Sequence, residues 1–318
     1  MTAARVARGV AVAVGTLLVI SIVTFAATNL SSGPEAQARA ALGREAMPEQ
    51  IDAFKQQYGL DKPFPERYVS WLGDFVQGDW GESPITGRSV AEDALPRLQR
   101  TLILMLLAIV IGMPLAILVG VVCAVRAGGK LDRSTNLLIV IMAALPEFVL
   151  GIGLITLFSV WIPLFPADSS GLLFGNFVAK AQSYVLPALT LGIAVVPPIV
   201  RLTRAAVLEV IPAPYVRAAT LRGLPQKKVV SSYLLPNAAG PMANVIAQMM
   251  VYLLGGTIVV EQVFSFPGLG RRLVEAIGQG DTVTVQALAL AIAVLTLVIS
   301  YGTDAVVRLA NPRLRALR

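Results

Sequence analysis

The sequence predicts an all-α polytopic membrane protein with six transmembrane helices, and three observations carry that prediction. Charged residues make up 14% of the 318-residue chain, against about 25% in an ordinary soluble domain. Hydrophobic residues make up 56% and fall in long blocks with at most one charge each. The blocks are continuous rather than alternating, which suits helices over barrel strands, because a helix satisfies its own backbone in lipid.

Six blocks, at 9–30, 101–125, 137–162, 181–200, 240–260 and 282–303, reach about the 20 apolar residues that cross a bilayer core. The first follows Arg5 and Arg8 and contains Ala26-Ala27, an arrangement that a secretory signal also shows. Signal cores run about 7–15 residues, and this run is longer, so it is read as the first span. Between the first two blocks, 31–97 is the one sizeable soluble stretch. Met47-Pro48-Glu49 predicts a helix start, Ile51, Phe54 and Tyr58 recur at helical spacing, and Gly59 closes the turn. A second helix is expected from Pro65 with Val69, Leu72 and Val76 on one face, and Trp71, Phe75 and Trp80 adding aromatic surface. This small helical region is read as a cap whose apolar face packs on the membrane helices, and the functional reading, compatible with it, adds a docking surface for an extracytoplasmic partner.

Orientation follows from Lys and Arg in the short loops. With the N-terminus inside, the cytoplasmic segments hold Arg5, Arg8, Arg126, Lys130, Arg133, Arg201, Arg204, Arg217, Arg222, Lys227, Lys228, Arg308, Arg313, Arg315 and Arg318. The short outer loops hold only Lys180, Arg271 and Arg272. Both termini are therefore expected in the cytoplasm of a cell that carries the protein in its plasma membrane. The same distribution accounts for the net charge of +7, and a nucleic-acid partner is not expected, since that needs a basic face on a folded domain. Cys123 is the single cysteine, so neither a disulfide framework nor a thiol pair for metal is available. There is no histidine, which removes the commonest general base and metal ligand.

Motifs for catalysis fail in detail. Gly129-Lys130 approaches a phosphate-binding loop, but Ala124 stands where the earlier glycine belongs and Leu131 where Ser or Thr would hold magnesium. Gly151-Ile152-Gly153 and Gly268-Leu269-Gly270 lack the third glycine of a dinucleotide site. No Gly-x-Ser-x-Gly elbow occurs. The chain is expected to be no enzyme and to hold no cofactor.

Pro114, Pro146, Pro187, Pro197 and Pro198 lie within the blocks, where each frees a backbone carbonyl and can kink its helix. Glu147 is the one ionisable residue deep in a block. A carboxylate there costs roughly 2.5–3.5 kcal/mol on insertion scales, so it faces the bundle interior or water. It is either a packing hydrogen bond or a residue of a translocation pathway.

Between the fourth and fifth blocks runs 217–236, RAATLRGLPQKKVVSSYLLP, with four cations and no acid. A short helix over 215–221, a stop at Gly223 and a second helix after Pro225 make an elbow projecting from the bundle. Arg217-Ala218-Ala219, three residues, Gly223, nine residues, then Tyr233-Leu234-Leu235-Pro236 reproduce the spacing E-A-A, Gly, I-x-L-P. That spacing resembles the cytoplasmic signature of the permease subunits of ATP-binding-cassette importers, with Arg217 and Tyr233 in place of the acid and the isoleucine. Tyr215 to Gly223 is similar to the peptide-importer version of the motif, with Pro214 where that branch often has an acid. Gly59-Leu60-Asp61-Lys62-Pro63, Tyr68, Trp71-Leu72 and Gly78 to Ser83 resemble the outer loop of the B-type subunit of dipeptide and oligopeptide permeases. Glu261 to Gly270, EQVFSFPGLG, and Asn311-Pro312-Arg313 are similar to further motifs of that peptide/nickel/glutathione group.

The resemblance implies a type I importer permease fold and a division of labour. The organisation would be a first helix over 1–30, an extracytoplasmic region over 31–97 and a five-helix core over 98–318 with its coupling elbow at 212–236. Tyr215, Arg217, Ala218, Ala219, Arg222, Gly223, Leu235 and Pro236 would couple to ATPases, with Lys227 and Lys228 serving topology. The implied partners are a second homologous permease, two ATPase subunits that hold ATP and Mg, an extracytoplasmic substrate-binding protein, and membrane lipid. The implied cargo is a di- or oligopeptide, with a nickel chelate or glutathione as the alternative within the group. A secondary transporter is a weaker alternative, because no repeat of spans is evident and Glu147 is the one carboxylate at depth.

Overall fold

The computed structural model describes residues 3–31 and 33–310. Asn311-Pro312-Arg313, Arg315 and Arg318 lie outside the described residues, as do the side chains of Arg5 and Arg308. In chain order the helices are α1 (Ala3–Ser31), α2 (Pro34–Leu42), α3 (Pro48–Gln57), α4 (Phe64–Val76), α5 (Val90–Val125), α6 (Lys130–Ala144) and α7 (Glu147–Ile155). They continue with α8 (Gly171–Phe174), α9 (Phe177–Val210), α10 (Pro214–Leu221), α11 (Gln226–Val229), α12 (Leu235–Val263), α13 (Leu269–Gln279) and α14 (Thr282–Ala310). Among the described residues the extended pairing is a single bridge, Glu82 with Ser89. The protein is all-helical, as its sequence predicts.

Four stretches are long and apolar enough to cross a membrane unaided: Ala7–Leu30, Val90–Val125, Phe177–Val210 and Thr282–Thr303. They contain the first, second, fourth and sixth expected spans. The third block departs from expectation. There α6 ends, and α7 with the π-helical turn Thr156–Trp161 leaves at 99°. Leu145 precedes Pro146, and a residue before proline is pushed out of the α region. Its φ of −83° and ψ of 123° show that extended geometry, and Pro146 then caps α7. The fifth block yields a shorter apolar run, Gln248–Val263, inside α12. Six continuous spans thus become four, a broken pair and a shorter run. By contrast α9 stays helical through Pro187, Pro197 and Pro198.

The chain forms two compact units, Met1–Thr101 with Gly268–Leu297, and Leu102–Pro267 with Val298–Arg318. In the first unit, α3 starts where its sequence signals place it. The Met47 N–H donates to Gln50 Oε1 at 2.9 Å, which satisfies one of the unpaired donors of a helix start. Ile51 and Phe54 are buried against Ala38 of α2, and Gly59 closes the end at φ 61°. The packing face of α4 differs from the expected one. Val69 and Val76 are 67% and 77% exposed, and the inward positions are Tyr68, Trp71 and Phe75. Phe25 of α1 takes the ring centroids of Phe64, Tyr68 and Trp71 at 5.1, 5.6 and 5.4 Å. Large rings bury more apolar area than valines, so the aromatic positions take the inner face.

The same unit is pinned by a buried polar network. Asp281, wholly buried, caps α14 by accepting the Thr284 N–H at 3.1 Å. Its carboxylate also accepts from Ser83 Oγ at 2.6 Å, Thr284 Oγ1 at 2.7 Å and Arg272 Nη2 at 3.3 Å. Arg272, itself buried, donates through Nε to Asp93 at 2.8 Å.

In the second unit α9 is the central helix. A Cβ on Gly112 would stand 2.4 Å from the Gly192 carbonyl oxygen, and one on Gly120 would stand 2.7 Å from Thr203 Cβ. The two helices therefore meet backbone to backbone, the close approach that small residues permit between membrane helices. Phe264 and Phe266 are fully buried. The Phe264 carbonyl accepts the Ser169 N–H at 2.9 Å, and Phe266 meets the Tyr184 ring edge-on at 5.3 Å.

Candidate functional site

The elbow is a helix–turn–helix whose turn is fixed by backbone hydrogen bonds. Pro214 opens α10 in a first turn that needs no proline N–H. Gly223 follows the α10 cap residue at φ 75°. Its N–H donates to the Thr220 carbonyl at 3.0 Å, and the Leu224 N–H to the Ala219 carbonyl at 3.4 Å. This pair is the Schellman closure, which requires a left-handed residue at that position. Pro225 then starts α11, and a π-helical turn over Val230–Leu234 leads into α12.

One face of the elbow is bound to the bundle. Val216, Ala219, Val229 and Leu234 are buried in a cluster with Val121 and Ala124 of α5, Ala206 and Val207 of α9, and Ala238 and Met242 of α12. Leu235 packs on the rim of this cluster, and Pro236 is exposed. Ala219, 3% exposed, thus faces inward and sets how closely α10 lies on the bundle. Tyr215, Arg217, Ala218, Arg222 and Gly223 are exposed, as are Lys227 and Lys228. None of these four cations makes an ion pair among the described residues. Leu221 was not among the expected contacts, yet it is 80% exposed at the turn. Its signal was its position, three residues after Ala218 on the face opposite Val216 and Ala219.

A buried ion pair lies on α9 close in sequence to Ala206 of that cluster. Asp132, 3% exposed, receives Arg204 Nε and Nη2 at 2.8 Å each, tying α6 to α9. The Gly128 N–H and the Asn136 amide, both at 2.9 Å, complete its hydrogen bonds. Arg204, expected in a loop, therefore lies in α9 and is paired.

Glu147 does not sit within an unbroken span. It is the first residue of α7, directly after the break, half-buried, at the end of a helix that favours negative charge. Both its carboxylate oxygens would lie 2.8 Å from a Cβ on Gly256, and Tyr252 stands within hydrogen-bonding reach. A glycine on α12 makes the room that the carboxylate occupies. The elbow residues and Glu147 are separate sites within the second unit.

Long apolar helices, one pair of them bent at Leu145-Pro146, and an exposed basic elbow anchored by an apolar underside define the class as an integral membrane helical protein. Comparison with known proteins gives the family. Residues 116–316 match the model described as "Binding-protein-dependent transport system inner membrane component". Residues 3–94 match the companion N-terminal model of such membrane components. The chain belongs to this family of importer permeases, in its peptide/glutathione branch. It is 34% identical over 303 residues to the glutathione transport system permease protein GsiC of Escherichia coli (strain K12), covering 94% of this chain and 95% of that one. The GsiC of Pectobacterium atrosepticum is 34% identical over 307 residues with the same coverage. A MetNI methionine ABC transporter solved in an inward-facing conformation shares the fold, with a TM-score of 0.51 at 24% identity. That match covers 67% of this chain and 92% of the other. The protein is an integral membrane permease of the ABC importer class.

Proposed function

We propose that this permease moves di- and oligopeptides across the plasma membrane, driven by ATP that separate subunits hydrolyse. The observation that carries the reading is the two-faced elbow. Its underside is fixed to α5, α9 and α12 through Val216, Ala219 and Leu234. Its outer face offers Tyr215, Arg217, Ala218, Leu221 and Arg222 to a partner. A push on that face is transmitted to helices of the bundle, because the buried contacts resist shear. ATP and Mg would be bound by two ATPase partners, and closure of that pair would move the elbows of this chain and of a second permease. An extracytoplasmic binding protein would deliver the cargo. The charge distribution supports cytoplasmic N- and C-termini, which puts the elbow on the ATPase side.

Glutathione is the second reading, because relatives 34% identical over nearly the whole chain are glutathione permeases. Glutathione is itself a tripeptide, so one pathway suits both cargoes. The test is uptake in vesicles that hold this permease, its partner permease, both ATPases and a binding protein. Peptide uptake that requires ATP is the expected result. Uptake without ATP, or ATPases that fail to co-purify, would overturn the proposal.

A further inference from the structure

The first unit contains a cavity of about 370 Å³, distant in sequence from the elbow and from Glu147. Its volume falls in the range of small-molecule pockets, roughly 300–1,000 Å³. Phe25, Phe54 and Trp71 give it apolar walls, and Arg67 and Lys62 give it positive charge. We propose that this cavity binds a small anion, a carboxylate or a phosphate, that carries an apolar group.

Arg67 is the first argument. Four other buried or half-buried arginines are matched by acids: Arg204 by Asp132 and Arg272 by Asp93 at 2.8 Å, Arg97 by Asp93 at 2.9 Å and Arg271 by Glu275 at 2.8 Å. Arg67 is half-buried yet makes no ion pair among the described residues. Its guanidinium donates to the neutral Asn29 amide oxygen and lies 5.9 Å from the Phe25 ring centroid. Burial pulls its pKa below the usual arginine value, and no carboxylate offsets that. A charge removed from water without a counter-ion is costly, and an anionic ligand is what would offset it.

Trp71 is the second. Its indole Nε1 is buried and has no hydrogen-bond partner among the described residues, whereas a buried indole N–H ordinarily finds an acceptor. A guanidinium without a carboxylate partner and an indole N–H without an acceptor therefore border one cavity, and a carboxylate or phosphate supplies both the charge and the acceptors. Asp74, the one acid in the lining, is exposed, so its repulsion is screened by solvent and salt. The aromatic walls fit the ligand's apolar part.

Two sources carry this chemistry: the terminal carboxylate of a peptide cargo, an arm that rests on the reading above, and the phosphate of a lipid. Calorimetry on the full chain in phosphatidylcholine nanodiscs separates them. The probes are N-acetyl-Ala-Phe, its C-terminal amide, and dihexanoyl phosphatidylglycerol. Saturable binding of the acid at least tenfold tighter than of the amide identifies a carboxylate site. Binding of the phosphatidylglycerol alone identifies a lipid site. Arg67→Gln is expected to weaken either by tenfold or more, and Lys62→Gln, at an exposed position, by less. Trp71→Phe keeps the ring and loses the donor, and is expected to weaken binding severalfold; it decides the matter if Arg67→Gln fails to fold. Absence of binding by every probe, or equal binding of acid and amide without phosphatidylglycerol binding, overturns the site. So does binding indifferent to both variants in folded protein. ATP-driven uptake is scored separately: uptake without anion binding sinks only this proposal, and binding without uptake sinks only the transport reading.

Discussion

At the scale of single residues, stability rests on groups whose partners are distant in sequence. Asp281 is the clearest case, since it caps α14 and is also counter-ion to the buried Arg272. Removing one partner of a buried ion pair strands the other charge and costs about 3–5 kcal/mol. Asp281→Ala is therefore expected to lower the melting temperature of the purified protein sharply. Asp281→Asn, which keeps a capping acceptor, is expected to lower it less. Heating followed by size-exclusion chromatography reads both, and an unchanged midpoint for Asp281→Ala would show that Asp93 alone suffices for Arg272. The Gly112 contact makes a second case. No side chain fits against the Gly192 carbonyl at 2.4 Å, so Gly112→Leu is expected to abolish accumulation of folded protein. Gly153, with nothing within 4 Å of a Cβ, is the matched control, and Gly153→Leu is expected to accumulate normally.

At the scale of elements, the proposed coupling role of the elbow can be tested apart from its folding. A Cβ on Gly223 meets nothing within 4 Å, so its constraint is the left-handed backbone at φ 75°, which costs a side-chain-bearing residue about 1–2 kcal/mol. Gly223→Ala is expected to insert and transport near normally. Gly223→Trp is expected to insert and melt much like Gly223→Ala but to lose ATP-driven uptake, because its bulk stands on the partner face. Normal uptake by Gly223→Trp would reject that face as the contact. Local signals made this element readable from the sequence: Pro214, Gly223 and Pro225 act through their own backbones, and the same holds for Met47 to Gly59 around α3. What was not readable depended on distant partners. The inner face of α4 is decided by Phe25, outside its own segment. The break at Leu145-Pro146 sits inside an apolar block that hydropathy reads as one rod. Arg204 and Arg272 look like topology charges until Asp132, Asp93 and Asp281 are brought beside them.

At the scale of the whole molecule, the chain, under the proposed transport of peptides, offers little chemistry at the bend between α6 and α7 with which to tell one cargo from another. It has no histidine and one cysteine, and Glu147 is the carboxylate that the broken pair presents beside α12. Discrimination requires polar groups that are left unpaired by the wrong cargo, and one half-buried carboxylate offers few such contrasts. Cargo selectivity in the assembled importer should therefore follow the binding protein rather than this subunit. With permeases and ATPases held constant, exchanging a dipeptide-binding protein for a glutathione-binding one is expected to change the uptake ratio of the two cargoes more than tenfold. Glu147→Gln should act differently. On the reading that Glu147 lines the pathway and meets the N-terminal ammonium common to both cargoes, its loss is expected to slow both by similar factors and to leave their ratio nearly unchanged. Competitive uptake of the two labelled cargoes measures both effects in one assay. A ratio that ignores the binding protein but shifts with Glu147→Gln would place the selectivity filter in the permease, at the bend between α6 and α7.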